Sequence, residues 1–186
     1  MTHEIIVGVS GGISAYKTAA LVSDLVQSGI NVSVVMTRAA TKFVGPATFR
    51  ALTGRPVYTR VFSDKQYPLG PHIELARQAQ LLCVAPATAN YMAQAAHGLA
   101  DDLLSTLTLS FTGPVIVAPA MNCEMWEKPP VQRNLNQLCS DGFHIVDPQE
   151  GWLSCRQKGV GRMAEPETIK SEIQKVLSNL VSEPQG

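Results

Sequence analysis

The chain has 186 residues, enough for one domain with a substantial core and too few for two full ones. Lys+Arg and Asp+Glu are both 15, so the formal charge is zero, which argues against a nucleic-acid or anionic membrane surface. Charged residues are only 16% against 45% hydrophobic, a balance that mildly favours a homo-oligomer.

No apolar run reaches the length of a membrane span, and the N-terminus lacks a signal-peptide pattern. A cytoplasmic protein is expected. Cys83, Cys123, Cys139 and Cys155 are widely spaced, so neither disulfides nor a zinc site is expected. Cys83 sits in an apolar run and reads as a small core residue.

In chain order, Glu4 to Val9 reads as a buried strand. Ser10-Gly11-Gly12 turns it into a helix from Ile13 to Gln27, with Ala20, Leu21, Leu25 and Val26 as apolar positions and Gly29 as the stop. Asn31 to Met36 is a second strand, so the unit is a parallel β–turn–α–β crossover. Short helices are expected through Phe43 and over Thr48 to Leu52. The stretch from Gly54 to Pro71, including Tyr58, Phe62 and Tyr67, reads as a long irregular connection. A helix over His72 to Ala79 leads to a strand over Leu81 to Ala85. Helices follow over Ala87 to Ala96 and Asp101 to Ser110, then a strand over Val115 to Ala118. Gln132 to Ser140 is helical and Phe143 to Val146 is a strand. Glu150 to Met163 is Gly-rich without a clear period and reads as a loop or flap. Pro166 to Val181 is a helix whose apolar face carries Ile169, Ile173, Val176, Leu177 and Leu180. The pattern predicts an α/β fold, a Rossmann-like or flavodoxin-like three-layer sandwich with a mostly parallel sheet. It forms one domain over 1–182, with a flap at 150–166 and a tail at 183–186.

Two strand ends look alike: Ala85-Pro86-Ala87-Thr88-Ala89-Asn90 and Ala118-Pro119-Ala120-Met121-Asn122. Open α/β sheets bind ligands at the carboxyl ends of their strands. Either Asn could be a plain helix cap; the repetition favours a shared site. Gly8-Val9-Ser10-Gly11-Gly12 matches a nucleophile-elbow pattern. On a first strand it fits better as a phosphate-binding turn at a helix N-terminus. Thr37-Arg38 ends the second strand where a ribose-gripping fold places a carboxylate, which suits a mononucleotide phosphate. His72 opens a helix, where the dipole favours a neutral base, or is a solvated turn residue. His97 and His144 look structural. Cys155 lies among Arg156, Lys158 and Arg162, and such cations favour thiol reactivity. It is a candidate proton donor or nucleophile, or an incidental surface thiol.

Together these residues resemble the FMN-dependent cysteine decarboxylases, and within them the phosphopantothenoylcysteine decarboxylases. The likeness rests on Gly8 to Lys17, His72-Ile73-Glu74-Leu75, Pro86 to Asn90, Pro119 to Asn122 with Met125-Trp126, Gly151 to Cys155, and Gly159 to Pro166. It implies FMN held by Ser10, Gly11, Gly12, Ile13, Thr37, Arg38, Ala39, Thr88, Ala89, Asn90, Tyr91 and Ala120. It implies His72 as catalytic base and Cys155 as proton donor from a closing flap. Asn122 would hold the substrate carboxylate, with Met125 and Arg162 also binding substrate. The implied reaction turns 4′-phosphopantothenoylcysteine into 4′-phosphopantetheine in coenzyme A biosynthesis. Oxidation of CH₂–SH to a thioaldehyde creates an electron sink, CO₂ leaves, and the enethiol is reduced again with a proton from Cys155. The resemblance also implies a homotrimer or multiple of trimers with His72 acting at a neighbour's flavin, and no metal. Since the sequence ends at 186, it reads as a stand-alone decarboxylase. Arg156 stands where relatives usually have Gly, Ser154 where Ala is usual, and Tyr91 where Thr is commoner.

Three neighbouring readings fit less well. The Asn122 motif and the Cys155 flap argue against a flavin prenyltransferase. Cys155 argues against peptidyl-cysteine decarboxylases that stop at the enethiol. His72, Asn122 and Cys155 together argue against a phosphatase-regulating subunit without activity.

Overall fold

Alternation within the first strand sets the layers. In β1 (Glu4–Val9), Ile5, Val7 and Val9 point to one face of the sheet and Ile6 to the other. All four are fully buried, so both faces must be covered. The structure is a computed structural model and describes residues 3–62 and 70–182. The tail at 183–186 and the part of the connection at 63–69, including Tyr67, lie outside the described residues.

The remaining elements follow as α1 (Ala15–Gln27), β2 (Asn31–Met36), a 3-10 turn (Ala40–Lys42), α2 (Pro46–Thr53), β3 (Val57–Tyr58) and α3 (Pro71–Gln78). Then come β4 (Leu81–Ala87), α4 (Ala89–Ala96), α5 (Leu103–Ser110), β5 (Val115–Pro119), α6 (Cys123–Trp126) and α7 (Pro129–Ser140). The chain closes with β6 (His144–Ile145), β7 (Gln149–Trp152), β8 (Lys158–Arg162) and α8 (Pro166–Ser182). β1 to β6 form one sheet in the order β3-β2-β1-β4-β5-β6, every pair parallel. That is the doubly wound Rossmann order rather than the flavodoxin one. The only antiparallel pair among the described residues is β7-β8, which forms its own small sheet.

Helices α1, α2 and α8 cover one face and α3, α4, α5 and α7 the other. On α1 the buried apolar residues are Ala15, Leu21, Val22 and Leu25, while Ala20 faces solvent. On α8 Ile169, Ile173, Val176 and Leu177 are buried and Leu180 is 40% exposed, so the apolar stripe is one residue shorter than its periodicity predicts. Gly29 stops α1 with φ +80°, as a glycine after a helix does. Gly8 is required by packing: a Cβ there would lie 2.5 Å from Leu104 Cδ1 on α5. Among the described residues no helix is long and apolar enough to cross a membrane.

Three segments differ from the sequence reading. Gly54 to Pro71 contains the short edge strand β3 paired with β2. Residues 123–126 form an unforeseen single helical turn. The Gly-rich stretch after Glu150 is an ordered hairpin, β7-β8, and not a structureless loop.

Candidate active site

The sheet reverses direction of build between β1 and β4, and the carboxyl ends of these two strands are the ligand crevice expected of such a sheet. Ser10 ties them together. Its Oγ donates to Pro86 O at 2.7 Å and accepts from Thr88 N at 2.9 Å. Thr18 on α1 adds a bond to Ala85 O at 2.7 Å. Ser10 is 2% exposed, so its hydroxyl is a buried structural link and no nucleophile. After it, Gly11 packs on the β2 loop: a Cβ would stand 2.3 Å from Ala39 Cβ. The N–H groups of Gly11, Ile13 and Ser14 find no partner among the described residues. Unpaired donors at the start of a helix form an anion cradle.

The end of β5 makes the facing wall. Asn122 is the N-cap of α6, with Oδ1 accepting from Glu124 N at 2.7 Å and Met125 N at 3.4 Å. Thus the capping reading holds for its oxygen, and the amide NH₂ remains for a ligand. In the first strand end the cap is Thr88, which accepts from Tyr91 N, and not Asn90. An irregularity in β4 between Val84 and Ala87, at a cis Ala85–Pro86 bond, brings Ala87 opposite Pro119. The two prolines are therefore out of register, and Ala120 N donates to Ala87 O at 3.0 Å.

The hairpin closes the third side. Met121 N donates to Gly161 O at 2.9 Å, and β8 lies so close that a Cβ on Gly161 would be 2.3 Å from Met121 O. A Cβ on Gly159 would meet Cys123 Cβ at 2.7 Å. The turn at the tip has Arg156 N bonded to Leu153 O and Leu153 N to Gln157 O, with Arg156 at φ +63°. This three-residue loop favours glycine at its last position. Glycine is also what the resemblance expects there. At the base, Arg162 pairs with Glu165, and both oxygens of Glu165 also accept from Lys17 Nζ, at 3.0 and 3.1 Å.

The resulting cleft has a volume of about 380 Å³. It gathers Gly11, Gly12, Ile13, Thr88, Ala120, Asn122, Met125 and Arg162 from the predicted set. Apolar Met121, Trp152 and Leu153 also face it. Thr37 and Arg38 instead line a second cavity with Thr59 to Phe62 and Asp101 to Leu103. Ala89 and Asn90 lie on the first turn of α4. Tyr91 is buried, its hydroxyl bonded to Thr108 at 3.0 Å. Cys155 is exposed at the hairpin tip, one residue beyond Ser154 of the cleft wall. His72 stands on the first turn of α3, outside the cleft wall, and its Nδ1 is buried without a partner among the described residues. Burial pushes the Cys83 thiol up from 9.0 to about 12, which makes it inert. Burial raises the Tyr91 hydroxyl too, against its bond to Thr108.

Sequence reasoning gave no role to Lys17, Ser14 and Glu165, although all three lie in the stretches that carry the resemblance. The signal for Lys17 was its phase: Ser14, Lys17, Thr18 and Leu21 share one helical face, which puts a lysine in a buried stripe. It is 8% exposed. Nothing local marks its partner, which lies 148 residues away.

Unpaired N–H groups at the start of α1 and an adjoining apolar wall, at the switch point of a Rossmann-ordered sheet, form a cleft of the kind that holds a phosphate-bearing ligand. The chain belongs to the Flavoprotein family, which matches residues 1–178. It is 46% identical over 182 residues to the coenzyme A biosynthesis bifunctional protein CoaBC of Bacillus subtilis, covering 98% of this chain and 45% of that protein. The chain thus spans less than half the length of the curated relatives it matches. Among solved structures it is similar to a PPC decarboxylase mutant complexed with pantothenoylaminoethenethiol (TM-score 0.85, 29% identity, covering 96% of this chain and 100% of that one). It is also similar to the FMN-dependent cysteine decarboxylase SpaF, with TM-score 0.81, 34% identity and coverage of 94% and 97%.

Proposed function

We propose that this chain binds FMN and decarboxylates 4′-phosphopantothenoylcysteine to 4′-phosphopantetheine in coenzyme A biosynthesis. The observation that carries the reading is the cleft itself: unpaired N–H groups of Gly11, Ile13 and Ser14 on one wall, and the oriented Asn122 amide on the other. The residues fit the cofactor. The cradle suits its phosphate, the wall of Met121, Trp152 and Leu153 suits a flat ring system, and Gly11 has no side chain to obstruct the turn. When bound, FMN supplies the hydride acceptor and donor for transient oxidation and re-reduction of the cysteine moiety.

The chain's own groups supply the rest. Asn122 Oδ1 is held by the α6 N–H groups, so its NH₂ donates to the substrate carboxylate and keeps it in one orientation until CO₂ departs. Met125 and Trp152 line the same cleft as Asn122 and offer it apolar surface. Cys155 delivers a proton to carbon from the hairpin tip as the enethiol is reduced. His72 is the base of the first oxidation and works in a neighbouring copy of a homotrimer. Its unpaired Nδ1 outside its own cleft supports this, as do Ile13, Tyr16, Met125 and Trp152, all at least 45% exposed around the cleft mouth. The catalytic unit is one domain over 1–182 with its flap at 150–166, acting in the cytoplasm on small anionic metabolites.

The test is mass spectrometry of products formed from 4′-phosphopantothenoylcysteine by FMN-loaded protein. Wild type yields 4′-phosphopantetheine; Cys155→Ser accumulates the decarboxylated enethiol; His72→Asn leaves the substrate intact. A protein that binds no FMN, or a loaded protein that forms no product, overturns the proposal. Full product from Cys155→Ser removes Cys155 as proton donor.

A further inference from the structure

The proposed reaction brings three anionic groups to one cleft: the phosphate of FMN, and the carboxylate and terminal phosphate of the substrate. The cleft offers three receivers of different chemistry. The turn at Gly11–Ser14 is a neutral cradle of backbone donors. Asn122 offers one amide. The third is the guanidinium of Arg162, carried in by the hairpin.

Arg162 is held in place from two sides. Its Nη2 donates to Glu165 Oε1. Its Cδ and Nη1 lie 3.0 and 3.3 Å from where a Cβ of Gly151 would stand, so any side chain there would push the Arg162 arm aside by a few tenths of an ångström. Glu165 is anchored in turn, because both its oxygens accept from Lys17 Nζ. The Lys17 side chain is 9% exposed and its Nζ also reaches Met163 O at 3.5 Å. Two cations against one carboxylate leave a single positive charge on this wall. Lys17 is buried and committed, whereas the Arg162 side chain is 41% exposed. A guanidinium has five donors in a planar fork, and one bond to Glu165 leaves the others for a bidentate phosphate contact.

We propose that Arg162 is the specificity residue for the substrate's terminal phosphate, and that Glu165, seated on Lys17, is the positioning residue that aims it. The assignment rests on the decarboxylase reading for the identity of the substrate, but its test does not need turnover. Binding of 4′-phosphopantetheine and of pantetheine to the full-length, FMN-loaded protein is measured by titration calorimetry. Wild type prefers the phosphorylated ligand by roughly tenfold or more. In Arg162→Gln the ratio falls to about one. Glu165→Gln and Gly151→Ala, which leave the guanidinium present but unaimed, lower the ratio several-fold. Wild type without a preference, or Arg162→Gln that keeps one, overturns the assignment. Equal weakening of both ligands by Glu165→Gln reduces that residue to a structural one and overturns the positioning role. Loss of flavin absorbance from Arg162→Gln transfers the contact to the cofactor phosphate and likewise overturns it. A protein that keeps the phosphate preference yet releases no CO₂ from its substrate sinks the decarboxylase reading and leaves this one standing.

Discussion

Gly161→Ala should undock the hairpin while leaving the main sheet folded. An alanine Cβ would lie 2.3 Å from Met121 O and 3.4 Å from Asn122 C, both backbone atoms that no rotamer change can move aside. Residue 161 also has φ +149°, a region nearly reserved for glycine and costing about 1–3 kcal/mol for other residues. Separating the strands forfeits the Met121 N→Gly161 O bond, a further ~1 kcal/mol. The sum, about 2–4 kcal/mol, shifts the docking equilibrium by roughly 30- to 1000-fold. The damage should stay local, because the chain is anchored on both sides of the hairpin by buried Val146 and Met163. Hydrogen exchange at the Met121 amide should accelerate by that factor. Substrate affinity should fall, and the thermal midpoint should drop by only a few degrees. Unchanged Met121 protection together with wild-type substrate affinity would refute the claim that this contact seats the flap. Global unfolding would refute its independence from the core.

Other substitutions probe separate parts of the molecule. Arg156→Gly removes a non-glycine residue from φ +63°, worth about 1 kcal/mol. The Leu153 amide, bonded to Gln157 O across the turn, should then exchange about fivefold more slowly; equal or faster exchange would discard the strain argument. Asp101→Asn replaces an acceptor-only group with one that can also donate, so Gln94 and Asn90 lose their fixed polarity. Asp101 accepts from Gln94, whose oxygen accepts from Asn90; FMN affinity should fall several-fold at unchanged thermal stability, and wild-type affinity would rule out a role for this chain of amides. At alkaline pH, folded Cys83 keeps its proton to about 12 while the unfolded thiol loses it near 9. The unfolded state then binds fewer protons, so stability falls as pH rises through that window, by about 1.4 kcal/mol per unit from this thiol. Denaturant titrations between pH 9 and 11 should show a shallower fall for Cys83→Ala, and an identical slope would contradict the assignment.

The sheet was legible because its strands carry their own signal. Runs such as Ile5–Val9 and Leu81–Ala85 are apolar throughout, as strands buried on both faces must be. The rim was legible for a related reason: a glycine turn and two abrupt Ala-Pro-Ala endings mark where regular pairing stops. The hairpin was not, since a Gly-rich stretch without a clear period reads as a loop or flap. Gly151, Gly159 and Gly161 instead admit a neighbouring group where a side chain would collide, a purpose visible only once Arg162, Cys123 and Met121 are placed against them. Helix α6 was missed because a single turn has no period, although its cap, Asn122, had been singled out for another role. The ion triad joins Lys17 to Glu165 across most of the chain, and no local pattern encodes such a pair.

The resemblance between the two strand ends conceals an offset of one residue, and that offset separates their jobs. Because Ala87, not Pro86, lies opposite Pro119, Thr88 becomes the cap of α4, and Asn90 moves onto the helix, facing Gln94. The Asp101 carboxylate can only accept, so it draws the Gln94 NH₂, at 2.6 Å. The Gln94 oxygen then accepts from Asn90 Nδ2 at 3.3 Å, which leaves the Asn90 oxygen without a partner among the described residues. Asn122 is oriented the opposite way, its oxygen held by backbone N–H groups and its NH₂ outward. The first strand end is therefore left with an amide acceptor and the second with an amide donor. The donor suits a carboxylate and the acceptor suits an N–H or hydroxyl of a cofactor. Two identical side chains after two similar turns acquire different chemistry from what fixes their other ends.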